Sequence, residues 1–257
     1  MKTVLIKQPA GMGDILFLHK VADHYATLGH PVIWPICKTY AEQGVSEYLT
    51  RFELVNIQDD FPFKEEYQRA SCARVVEFDE CIVVCTDGCP GPQHMQAKYQ
   101  LVNLGHQDWS NYVDIKRNKI KEDSLFHDVL KIQDGERYAI TTPFIGTPPE
   151  HLSFIEVDAS TSLRKIPLYF YDNFNLFDWC KVLEGAEEFF IEATSPAFLL
   201  ETLKPKAKRF ELFSRDKKNA AIGLFKNIPW NYREDEISIT KSPLSDQQYK
   251  DLIRSTA

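Results

Sequence analysis

Residues 4–17, VLIKQPAGMGDILF, decide the fold. Val4, Leu5 and Ile6 form a short apolar run, and Pro9, Gly11 and Gly13 interrupt it. Asp14 then opens a stretch with Ile15, Leu18, Val21, Ala22 and Tyr25 at helical spacing. The order predicts strand, loop, helix. Gly29 is a helix stop and PVIWPI (31–36) a second buried strand, so the unit reads β-α-β, which requires a parallel sheet. A weaker helix at 39–49 and strands at 52–57 (FELVNI) and 80–86 (ECIVVCT) continue the alternation. Residues 1–115 are therefore expected to form an open α/β lobe.

A second lobe is expected after a charged connector helix at 116–137, whose Ile120, Leu125, Val129 and Ile132 make one apolar stripe. Strands are expected at 138–146, 166–171, 189–193 and 209–213, with helices at 175–186 and 195–203, the latter capped by Ser195 with Pro196 in its first turn. This lobe spans 138–240, and a last helix at 241–257 begins at Ser245. The predicted fold class is α/β, two Rossmann-like lobes with mostly parallel sheets and a cleft between them.

Composition bounds the function. The 257 residues are 44% hydrophobic and 26% charged, a balance that supports a packed core and excludes a fibrous or disordered chain. No apolar run reaches the ~20 residues a spanning helix needs, and Pro9 and Gly11 cut short any leader-like stretch, so a cytoplasmic protein without a membrane partner is expected. The cysteines at 37, 72, 81, 85, 89 and 180 form no Cys-x-x-Cys pair, and the histidines have no metal spacing, so no metal site is expected. A net charge of −7 repels polyanions on average, which leaves nucleic-acid contact to local patches.

The loop Gly11-Met12-Gly13-Asp14 carries the chemistry. Its glycines allow close backbone approach, and the helix start offers amide donors. A dinucleotide fingerprint would need a third glycine where Leu16 stands, and no Gly-Lys-Ser/Thr follows, so neither dinucleotide nor P-loop binding fits. Asp14 either caps the helix or serves a bound reactant.

VLIKQPAGMGDILF resembles the opening of the family-nine, heptosyltransferase-type glycosyltransferases. The resemblance implies a two-lobed GT-B-like enzyme in which Asp14 is the catalytic base for an acceptor hydroxyl, with Gly11, Met12 and Gly13 shaping the acceptor loop. The stretch 175–215 is similar to the donor side of that family, which places Glu192, Thr194 and Ser195 against the nucleotide-sugar. It departs from the family at Ala197, where a histidine is usual. The segments QPAGMGDILFLHK, VIWPI, AKYQLVNL, RNKIKEDSLF, FIGTPP and NLFDWCKVLEGA also resemble small glycosyltransferase-like proteins of tailed phages.

These resemblances imply metal-independent, inverting sugar transfer from a nucleotide-sugar co-substrate, a UDP-sugar by preference, with no permanently bound cofactor. The phage likeness points to a 5-hydroxymethylpyrimidine acceptor in double-stranded DNA, inside the host cytoplasm; a saccharide or lipopolysaccharide acceptor, or a non-catalytic binding module, are the alternatives. Arg164, Lys165, Lys204, Lys206 and Arg209 are expected near the donor phosphates. Residues 204–218 hold seven basic and two acidic side chains, a local +5 that either meets phosphates or is a solvated face. Trp230 and Tyr232, with Arg233 beside them, are candidates for stacking on a base.

Overall fold

The computed structural model describes residues 1–89, 94–145, 153–154, 156–157, 159–169, 171–213, 223–233 and 237–238. The expected helix at 241–257 and the basic residues 214–218 lie outside them. The chain divides into two compact units, one built on Met1–Lys116 and the other beginning at Arg117. Among the described residues no helix is long and apolar enough to cross a membrane.

The first unit is a five-stranded sheet of β1 (Thr3–Lys7), β2 (Val32–Ile36), β3 (Glu53–Asn56), β4 (Arg74–Glu77) and β5 (Cys81–Cys85), in the order β3-β2-β1-β5-β4. All pairs are parallel except β4 with β5. Because Val4, Leu5, Ile6, Val83 and Val84 are buried on both sides of the pleat, the central strands read as continuous apolar runs. One face packs Leu5, Ile33, Cys81 and Val83 against Phe61, Tyr67 and Ala70, the last two from or just after α4 (Lys64–Arg69).

The first helix departs from expectation. It starts at Met12, two residues before Asp14, and α1 (Met12–Phe17) breaks at Leu18 before α2 (His19–Thr27). The N-cap Gly11, at φ 83° and ψ 91°, lies where a side chain would be strained, which is what lets the strand turn so sharply into the helix. Gly29 ends α2 at φ 90°, as a helix stop should. Residues 38–47 form α3 (Lys38–Glu42) and a separate 3-10 turn rather than one helix. Two elements had no sequence signal: the polar helix α4 and the exposed edge strand β4.

α5 (His94–Gln100) is held against α1 by aromatic packing. The Phe17 ring lies 4.7 Å from Tyr99 and 5.6 Å from Trp109, and the Tyr99 hydroxyl donates to Phe17 O. These contacts fix where the side chains of α5 reach.

The second unit opens with α6 (Lys119–Asp123) and a π-helical turn over Ser124–Val129, so most of the expected connector packs within this unit. Arg117 anchors it by binding the fully buried Glu122 and, at 2.8 Å, Glu184. The strands are β6 (Tyr138–Thr141), β7 (Phe144–Ile145), β8 (Ser153–Phe154), β9 (Glu156–Val157), β10 (Arg164–Pro167), β11 (Glu188–Glu192), β12 (Arg209–Phe213), β13 (Asn231–Arg233) and β14 (Ile237–Ser238). Five of them make an all-parallel sheet in the order β10-β6-β11-β12-β13; β7 with β8 and β9 with β14 form small antiparallel ladders. α7 (Cys180–Gly185) and α8 (Ser195–Leu203) supply the crossovers on either side of β11. The fold class is therefore α/β with two Rossmann-like, mostly parallel sheets.

Candidate functional site

In an open parallel sheet, ligands collect beyond the carboxyl ends of the strands where the chain reverses its direction of winding. In the first unit that point lies between β1 and β5: the chain winds from β1 to β2 and β3, then returns across to β5. The residues just past these two strands, Gln8 and Thr86, meet there. Thr86 Oγ1 donates to Gln8 Oε1 at 3.1 Å, and Gln8 Nε2 donates to Ala10 O at 2.7 Å, pinning the glycine loop.

The Lys98 ammonium completes the cluster. It arrives from α5, donates to Gln8 Oε1 at 2.8 Å, and forms an ion pair with Asp14 Oδ1. The lysine is buried, whereas the Asp14 side chain is 27% exposed. Its second oxygen folds over Gly11, where an added Cβ would stand only 2.4 Å from Oδ2. The expected loop residues Gly11, Met12, Gly13 and Asp14 are thus one structural object: the glycine leaves room for the carboxylate, and the lysine orients it.

One amide of this loop serves the protein itself. Met12 N donates to the Tyr40 hydroxyl at 3.1 Å. Burial pushes the Tyr40 phenol up to about 12, with Cys37 and Asp14 adding to the rise, so it stays a neutral hydroxyl at physiological pH. With that donor occupied, the loop has one amide fewer for a phosphate. The functional group presented here is the carboxylate, and an oriented, part-exposed carboxylate can take a proton from an approaching hydroxyl.

The second unit has a matching switch point between β6 and β11, since the chain leaves β6 for β10 and then crosses to β11. Glu192 is fully buried there at the end of β11, and its N–H donates to Thr142 Oγ1 at 2.7 Å. Thr194 follows, half-buried, and is the N-cap of α8 with extended backbone; Ser195 is already the first helical residue, so the expected cap moves back by one. Pro196 sits in the first turn as expected. Glu192, Thr194 and Ser195 are therefore brought together, and Thr142 joins them.

The five basic residues expected beside the donor do not join this group. Arg164 and Lys165 begin β10, Arg209 begins β12, and the registers Arg164↔Tyr138 and Glu188↔Arg209 place all of these at the amino ends of the parallel strands. Glu192, the last residue of β11, lies at the opposite end, about 13 Å away along the strand. Lys204 and Lys206 follow the carboxyl end of α8, on the same amino-terminal side. Their neighbours also engage them: Arg164 binds Leu130 O at 2.7 Å and Glu136 at 3.1 Å, while Arg209 binds Glu211 at 2.8 Å and Ser160 O at 2.9 Å.

The stacking candidates are likewise committed internally. Trp230 is buried and donates Nε1 to Glu201 at 2.8 Å; Tyr232 donates to Phe225 O at 3.3 Å; Arg233 reaches Glu211 at 3.4 Å. Among the described residues no group of three or more His, Cys, Asp or Glu side chains is placed to hold a metal.

Sequence reasoning missed Gln8, Tyr40, Thr86, Lys98 and Thr142. Gln8 and Thr86 carried one weak signal, each being a polar residue directly after a buried parallel strand.

No family model and no curated protein matches the chain. Among solved structures the chain is similar to E. coli heptosyltransferase WaaC with ADP-2-deoxy-2-fluoro heptose, at 12% identity and a TM-score of 0.43, with 100% of each chain covered.

Proposed function

We propose that the protein is a glycosyltransferase that moves a sugar from a nucleotide-diphosphate-sugar to an acceptor hydroxyl, with Asp14 as the general base. The observation that carries this reading is the Asp14 carboxylate itself, oriented by buried Lys98 at the switch point of the first sheet. As the acceptor oxygen attacks the anomeric carbon, its proton passes to Asp14 and the nucleoside diphosphate departs with the bonding pair. A single displacement of this kind inverts the anomeric centre.

Glu192, Thr194, Ser195 and Thr142 are assigned to the donor, in the second switch point. A buried carboxylate suits sugar or ribose hydroxyls, and the start of α8 suits the diphosphate. The reading needs no resident metal.

A saccharide hydroxyl is the acceptor we favour over a 5-hydroxymethylpyrimidine in DNA. Duplex recognition draws on exposed, uncommitted cations. Among the described residues of the basic stretches, Arg117, Arg164, Lys208 and Arg209 are each ion-paired to a carboxylate of this chain.

The test is a thermal-unfolding panel of nucleotide-sugars, followed by mass spectrometry of saccharide and hydroxymethylcytosine-DNA acceptors with any donor that shifts the midpoint. A donor at a hundred times its Kd adds about 2.7 kcal/mol. A shift with a mass gain on a saccharide supports the reading in full, a gain on DNA reassigns the acceptor, and no shift with any donor overturns the reading.

A further inference from the structure

The face of the first sheet that packs against α4 carries a thiol pair that sugar transfer does not use. Along β5, Cys81 and Val83 point to the side covered by Tyr67 and Ala70, and Cys85 continues that alternation to the strand's end. The chain leaves α4, passes Ala70, and turns at Ala73, where φ is 55° and the N–H donates to Asp87 O at 3.1 Å. This turn lays Cys72 over the end of β5. Its Cβ is 3.2 Å and its Sγ 3.8 Å from the position a Cβ on Gly88 would take, and Arg74, two residues after Cys72, is the in-register partner of Cys85, so the two cysteines stand at the same end of β5.

The two sulfurs differ in access. Cys72 is exposed and Cys85 is buried. Lys7 is the in-register partner of Cys85 across β1, and its ammonium is held over this face by Tyr67 O at 2.8 Å and Ala70 O at 3.0 Å. Burial pushes the Cys85 thiol up to about 11, Cys72 beside it adds to the rise, and the Lys7 charge opposes it. A buried, protonated thiol is a poor target for oxidants in solution, while an exposed one next to it is open to attack.

We propose that Cys72 and Cys85 form an oxidisable dithiol that closes to a disulfide on reaction with a low-molecular-weight disulfide of the glutathione type. Cys72, as its thiolate, attacks one sulfur of the oxidised glutathione, and one glutathione thiolate leaves. Cys85 then gives up its proton and its sulfur attacks Cys72 Sγ, releasing the second glutathione. Two protein thiols become one disulfide and one glutathione disulfide becomes two thiols, so atoms and electrons balance. Their placement at one end of β5 makes the second step intramolecular. The new bond would tie the segment after α4 to the residue immediately before Thr86, which donates to Gln8 in the candidate site.

The test is intact-mass and peptide mass spectrometry of the full chain after incubation with oxidised glutathione and alkylation of the remaining thiols. The expected product has lost two hydrogens, escapes alkylation at two cysteines, and yields a linked Cys72–Cys85 peptide. Cys85→Ser should stop at a stable glutathione adduct on Cys72, Cys72→Ser should leave residue 85 unmodified, and Cys89→Ser should close normally. A stable glutathione adduct on Cys72 in the unaltered protein, a link to Cys89 instead, or ready alkylation of Cys72 with no oxidation would overturn the proposal. None of these readouts requires sugar transfer, so the two readings fail separately.

Discussion

Lys98 and Asp14 lie 84 residues apart and form an ion pair in which the lysine side chain is 5% exposed and the aspartate 27%. The ammonium is shared with Gln8 Oε1 at 2.8 Å, so it has a second partner that fixes its position. In the proposed mechanism Lys98 acts through Asp14 as a positioning residue.

Lys98→Met should leave Asp14 without its orienting partner. Turnover is expected to fall about a hundredfold, the loss that follows a misplacement of roughly 1 Å. Lys98→Arg should recover part of it, and the thermal shift given by a nucleotide-sugar should persist in both. Asp14→Asn should cost turnover by about a hundred- to ten-thousand-fold, again with donor binding retained. Kcat measured beside the binding midpoint separates these outcomes from a loss of fold.

Gly11→Ala tests the fit between loop and carboxylate. The backbone at φ 83° disfavours any side chain, and the new Cβ would lie 2.4 Å from Asp14 Oδ2. Backbone strain alone is expected to cost about 1–3 kcal/mol in urea unfolding. Turnover should drop as well, because the carboxylate must swing away.

His19 gives the first unit a pH dependence. It is fully buried between the Trp34 and Phe52 rings, with Nδ1 2.9 Å from Ile15 O. Burial pulls its pKa from 6.5 down to about 4, Arg51 adds to the drop, and the contacts with Ile15 and Leu16 oppose it. Arg51 is itself ion-paired to Asp23. The unfolded chain therefore binds a proton that the folded chain refuses between these two values. Stability from this group is complete above pH 6.5 and declines as the pH falls toward 4, by about 3 kcal/mol in all. Urea midpoints at both ends of that range should show the decline, and His19→Gln should flatten it.

Glu201 is the staple of the second unit. Its carboxylate accepts from the N–H groups of Lys226 at 3.0 Å, Asn227 at 2.7 Å and Ile228 at 3.3 Å, and from Trp230 Nε1 at 2.8 Å. Glu201→Gln turns one acceptor oxygen into a donor that faces other donors. A loss of about 2–3 kcal/mol is expected, with a change in Trp230 fluorescence as its indole loses its partner.

Elements with strong local signals were legible in the sequence. Strand 209–213 matches to the residue and helix 195–203 keeps its span with its cap moved from Ser195 to Thr194, since Pro196 fixes the first turn and RFELF carries buried aromatic and aliphatic residues. α4 and β4 escaped because KEEYQR has no apolar period and RVVE is a short, largely exposed edge. Asp14 could be found from its loop. Lys98 could not, because its place beside Asp14 comes from the parallel pairing of β1 with β5 and from Phe17 packing on Tyr99. The placement of the basic residues 164, 165, 204, 206 and 209 away from Glu192 was hidden for a related reason: charge density along the chain says nothing about which end of a strand a residue occupies.

Lys7 and Gln8 are adjacent in sequence yet serve opposite sides of one sheet, the first over α4 beside the thiols and the second beneath Asp14. Insertion of a single residue between Thr3 and Lys7 would carry the cation to the place of Gln8 beside Lys98, and deletion of one would carry the amide to the place of Lys7 among the thiols. The first strand is therefore frozen in length, and any length variation the protein tolerates at this end must fall before it.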